Sequence, residues 1–110
     1  MMRRILTAGA ALLVALAMSL APAQAQWSIS QRSKFISDCI PGCERNPNVP
    51  EAQKSQCGVF CNCIATESER VISSAELDEI EAAAQAGRDH PKIGQFRILA
   101  PVCNRRAFGQ

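Results

Sequence analysis

Six cysteines constrain this chain more than any other feature, and their spacing matters more than their number. Cys39 and Cys43 are four residues apart, and so are Cys57 and Cys61. On an α-helix, positions four apart share a face and lie about 6 Å apart along the axis. Two such pairs on neighbouring antiparallel helices make two rungs, Cys39 with Cys61 and Cys43 with Cys57. The segment between them, Asn46-Pro47-Asn48-Val49-Pro50, has the turn chemistry of an αα-hairpin. Cys63 lies two residues beyond Cys61, about 200° further round the helix, so it faces a different element. Cys103 is the cysteine left to meet it. Six cysteines allow about fifteen pairings in principle. The spacing selects Cys39–Cys61, Cys43–Cys57 and Cys63–Cys103, on the condition that Pro41 does not spoil the helical register of the first pair.

The N-terminal segment sets the compartment. Arg3 and Arg4 are followed by an apolar run from Ile5 to Leu20, then Pro22 and the small-x-small site Ala23-Gln24-Ala25. That order is the one found in a cleaved secretory signal peptide, here over residues 1–25. A membrane-spanning helix needs about 20 apolar residues, more than this run supplies. The mature chain is expected to begin at Gln26 and to be free of stable membrane insertion. The whole chain carries 12 basic and 10 acidic residues. Losing Arg3 and Arg4 leaves as many bases as acids, and a neutral chain has no bulk charge with which to hold nucleic acid or anionic membrane. All six cysteines stay in the mature part. An even cysteine count in a short exported chain implies a disulfide framework and an oxidising compartment, periplasmic or secreted.

The rest of the chain reads as helices. Ile29, Ile36, Cys39, Ile40 and Cys43 fall at helical spacings over Ser28 to Cys43, with Ser28 or Ser30 as cap and Pro41-Gly42 disturbing the end. A second helix is expected from about Pro50 to Thr66, with Pro50 at its first position and Phe60, Cys63 and Ile64 on its apolar side. Ser73-Ser74-Ala75-Glu76 matches a capping box, Leu77, Ile80 and Ala84 follow, and Gly87 is placed to end that helix. Ile93, Phe96, Ala100 and Cys103 suit one more short helix, weakened by Gly94 and Pro101. The expected architecture is all-α: a disulfide-stapled bundle of three to four short helices on an αα-hairpin core. It spans 26–104 as one domain, with a loose tail over 105–110. A core this small supplies only a few kcal/mol, and each disulfide adds about 2–4 kcal/mol.

The C-x3-C pairs resemble those of the small chaperones of the mitochondrial intermembrane space, through Cys39, Cys43, Cys57 and Cys61 alone. Cys63, Cys103 and the leader depart from that pattern, so the resemblance implies a shared way of stapling two helices. The C-x-C element Cys61-Asn62-Cys63 is similar to that of plant lipid-transfer-type proteins, which also carry an adjacent cysteine pair that this chain lacks.

The candidate chemistry is sparse. Cys57, Cys61 and Cys63 are the residues to consider for metal or thiol-redox work; zinc would want further Cys or His ligands, and the only histidine is His90. A bond between Cys61 and Cys63 themselves would be strained and reducible. His90, between Asp89 and Pro91, reads as a solvated loop residue without a nucleophile partner. Residues 67–87 hold six acids against Arg70, and residues 88–110 hold five bases against Asp89. These read as solvated helix faces or, alternatively, as a basic C-terminal part that meets an acidic partner. Trp27 and Phe108, near the mature ends, either cover the core or mark a contact surface. The expectation is an exported, non-enzymatic binding or structural module, with no cofactor, no metal site, no nucleic acid and a protein partner left open. The alternative is a periplasmic thiol-redox or metal-handling protein using Cys57, Cys61 and Cys63; a small hydrolase using His90 comes third.

Overall fold

The computed structural model describes residues 26–109, and they form four α-helices and one 3-10 helix, with no strand among them. The leader read over 1–25 lies outside the described residues. Helix α1 runs Ile29–Arg45, a 3-10 helix runs Glu51–Gln56, and α2 (Cys57–Ser68), α3 (Ser74–Gln85) and α4 (Gly94–Phe108) follow. Among the described residues no helix is long and apolar enough to cross a membrane.

Each start and stop has a local cause. Ser28 caps α1: its Oγ accepts from the Gln31 N–H, and the Ser28 N–H donates back to Gln31 Oε1. This satisfies two N–H groups that have no intrahelical partner. Ser73 and Glu76 make the same reciprocal pair on α3. Helix α3 ends at Gly87, whose φ is +69°. The Arg88 N–H reaches the Ala83 carbonyl and the Gly87 N–H reaches Ala84, the two closing bonds of a left-handed helix stop that a glycine enters at no steric cost. Gly109, at φ +74°, ends α4 with a bond from its N–H to the Arg105 carbonyl.

The second expected helix is divided. Pro50 sits outside as an extended cap rather than at a first helical position, and it has no side chain with which to satisfy the first N–H groups. The tighter 3-10 turn meets that need: the Gln53 N–H bonds the Pro50 carbonyl and the Cys57 N–H bonds that of Lys54. The α-helix then starts at Cys57.

Two prolines stand inside helices and end neither of them. Pro41 lies within α1 and Pro101 within α4. An interior proline removes the bond to the carbonyl four residues back, here those of Ser37 and Arg97. Both of those residues, and both prolines, are exposed, so water can take the place of the missing donor. Disulfides hold α1 on both sides of Pro41 and hold α4 two residues past Pro101. The expected loose tail is therefore corrected: residues 104–108 are the last turn of α4, and Phe108 stacks on Phe60 with ring centroids 5.7 Å apart.

The core has two joined parts. Trp27, Ala65, Ile72, Leu77 and Ile80 form one, and Ile64 with the Cys63–Cys103 bridge forms the other. Phe35 and Phe96 pack against both and stack on each other at 5.7 Å. Ile29, read as part of the α1 apolar face, is 88% exposed; Trp27 fills the core at that end instead. On α3 it is Ala83, not Ala84, that joins Leu77 and Ile80 in the buried stripe.

Candidate functional site

Helix α2 is the hub, packed on both α1 and α4, and all three disulfides end on it. The structure joins Cys39 to Cys61, Cys43 to Cys57 and Cys63 to Cys103, with Cα separations of 5.9, 5.8 and 5.6 Å. No cysteine is free. Cys57 and Cys61 are fully buried on the side facing α1, whereas Cys63 faces α4. The three residues considered for metal or redox chemistry are thus directed to two different neighbours. Among the described residues no group of three or more His, Cys, Asp or Glu is placed to hold a metal ion.

One sulfur differs from the others in its surroundings. Arg106 on α4 directs Nη1 at Cys63 Sγ, donating across 3.2 Å. The same nitrogen lies 3.7 Å from Glu67 Oε2. Cys63 and Arg106 border an open groove of about 610 Å³ along α2, with Gly58, Val59, Asn62 and Thr66 on its wall. A smaller hollow of about 220 Å³ lies between the Asn46–Pro50 turn and the end of α4 at Asn104 and Phe108.

His90 is placed differently from the solvated residue expected. Its side chain is 15% exposed. Nδ1 accepts from the Lys92 N–H at 3.0 Å, so in the neutral ring the proton sits on Nε2, which faces Glu79 Oε1 at 3.1 Å. Both ring nitrogens are engaged, and the residue ties the Arg88–Pro91 loop to α3. Its burial was not visible in the sequence, because Glu79 lies eleven residues away across a turn.

The two charge blocks meet each other. Lys92 Nζ reaches the Glu76 carboxylate and the Val71 carbonyl, and Arg106 reaches Glu67. The Ser73 backbone N–H, followed by the Lys92 ammonium, holds the Glu76 carboxyl below the ordinary carboxylate value. Arg32 links α1 to the end of α2, with Nη1 on Glu69 Oε1 at 2.6 Å and Nη2 on Thr66 Oγ1 at 2.8 Å. Much of the charge that the sequence segregates is therefore used between helices of one chain. Asp78 pairs instead with Gln31.

The fold and its bridges define a small disulfide-rich helical protein. Three disulfides in a chain of this size belong with an oxidising compartment. No protein-family model, no curated protein and no solved structure matches the chain.

Proposed function

We propose that this chain is an exported, non-enzymatic binding or structural module of the periplasm or the medium, released from the leader at residues 1–25. The observation that supports this most is the allocation of all six sulfurs to bridges on one helix. Such an arrangement spends the most reactive side chains of the chain on fixing α1 and α4 against α2. What it gains is a rigid surface that needs no large core. A module of this kind presents preformed contacts and loses little conformational entropy when a partner docks.

The reading is tested on the exported protein. Its intact mass is expected to start at Gln26 and to fall six hydrogens below the fully reduced value. Immobilised native protein is expected to retain a partner from the exported fraction that the reduced and alkylated protein releases. A mass showing free thiols, or a hydrolytic activity abolished by His90→Ala, overturns the proposal.

A further inference from the structure

We infer that Cys63–Cys103 is a thiol-exchange site, at which a small or protein-borne dithiol forms a mixed disulfide with Cys63 in the groove along α2. Three observations converge on this bridge. Cys63 borders an open groove large enough for a thiol-bearing side chain or a small peptide. Arg106 donates to its sulfur at 3.2 Å, and among the described residues no other side chain donates to a sulfur. Cys103, the other half of the bond, is fully buried among Ile64, Phe96 and Leu99.

The chemistry follows from where the charge goes. Thiol–disulfide exchange proceeds by in-line attack of a thiolate on one sulfur, and the negative charge spreads over three sulfurs in the transition state. A guanidinium beside the central sulfur attracts the incoming anion and stabilises that spread charge. The attacking thiolate bonds Cys63 Sγ, and the Cys63–Cys103 bond breaks with its electron pair on Cys103 Sγ, which takes a proton. The second thiol of the reagent then attacks the reagent's own bound sulfur and releases the Cys63 thiolate beside Arg106. The dithiol is oxidised to its disulfide by two electrons, and Cys63 and Cys103 are reduced. Opening this bridge removes the only disulfide that ties α4 to α2.

Exposure alone ranks the bridges the other way. Cys39 and Cys43 are half-buried, whereas Cys63 is only 5% exposed. The two criteria therefore predict different first events, which makes the proposal decidable.

The experiment treats the native, fully oxidised protein with limiting dithiothreitol and, separately, with reduced glutathione. The reaction is quenched in acid, free thiols are alkylated, and the labelled peptides are mapped by mass. The expected first product is alkylated Cys63 and Cys103 with dithiothreitol, and a glutathione adduct on Cys63 with glutathione. Arg106→Gln is expected to slow opening of this bridge by about three- to tenfold, and Arg106→Lys to retain most of the rate. If Arg106 only held α4 in place, Arg106→Gln would loosen the helix and open the bridge faster. First opening of Cys39–Cys61 or Cys43–Cys57, or an unchanged or increased rate in Arg106→Gln, overturns the inference.

Discussion

Trp27 shows how one residue can hold a position that its place in the chain does not suggest. It is 7% exposed, its Nε1 donates to the Ile72 carbonyl at 2.9 Å, and its ring packs on Phe35 at 5.1 Å. Ile72 is itself 1% exposed, so its carbonyl has no ready access to water. Trp27→Phe keeps the aromatic contact but leaves that carbonyl without the indole donor. The expected loss is about 1–3 kcal/mol, with an unchanged denaturant slope, read from urea unfolding of the oxidised protein. The sequence placed Trp27 near a chain end and left its role open between packing and contact. Its partner lies 45 residues away, and hydrophobic periodicity carries no information at that range. His90 was misjudged for the same reason. Its loop was legible from Gly87 and Pro91, but its two hydrogen bonds depend on how that loop folds back on α3.

At the scale of elements, the caps were legible and the interruptions were not. Ser73 and Glu76 announce α3 because a capping box is purely local, and the structure forms both of its bonds. That box makes a testable contribution with a definite sign. Glu76 titrates below its ordinary value of 4.5, chiefly through the Ser73 N–H and then Lys92. A carboxyl lowered by folding stabilises the native state fully above its unfolded value, and the contribution fades as pH falls through the lowered folded value. Glu76→Gln keeps an acceptor for the cap but removes the charge. The variant is expected to melt lower than the parent at pH 7 and to lose less stability than the parent between pH 5 and pH 3. Equal acid limbs in thermal melts of the two proteins would contradict this role for Glu76. In the sequence Pro41 disturbs the end of the first expected helix and Pro101 weakens the last one, because an interior proline costs about 3 kcal/mol relative to alanine. Tertiary staples outweighed that local preference, so α1 and α4 continue beyond them. Pro41→Ala lets a backbone N–H bond the Ser37 carbonyl, and it is expected to raise the unfolding free energy by about 1–3 kcal/mol. A variant no more stable than the parent would mean that the helix is already distorted at that turn.

For the whole molecule, topology decides what each bridge contributes. Cysteines four apart share a helix face, and the sulfur pairs in the structure follow that spacing; the groove and its Arg106–Cys63 contact depend on how α4 lies on α2 and had no local sign. Cys43–Cys57 closes a separation of 14 residues inside the separation of 22 closed by Cys39–Cys61. Once the inner bridge exists, only the four-residue steps from Cys39 to Cys43 and from Cys57 to Cys61 remain outside it, so the outer bridge restricts the unfolded chain little further. Cys63–Cys103 spans 40 residues and shares no loop with the others. On chain entropy alone a separation of 14 corresponds to about 3 kcal/mol and one of 40 to about 4 kcal/mol. Replacing Cys63 and Cys103 by serine together is therefore expected to lower stability more than replacing either hairpin pair. The two single variants should each cost nearly as much as the double, because either one already breaks the bond. Removing both hairpin bridges should cost more than the sum of removing each alone, since each one partly substitutes for the other. Urea unfolding of the three paired-serine variants and of the variant lacking both rungs measures every one of these quantities. Strict additivity between the two hairpin bridges would show that they do not share one loop in the unfolded chain.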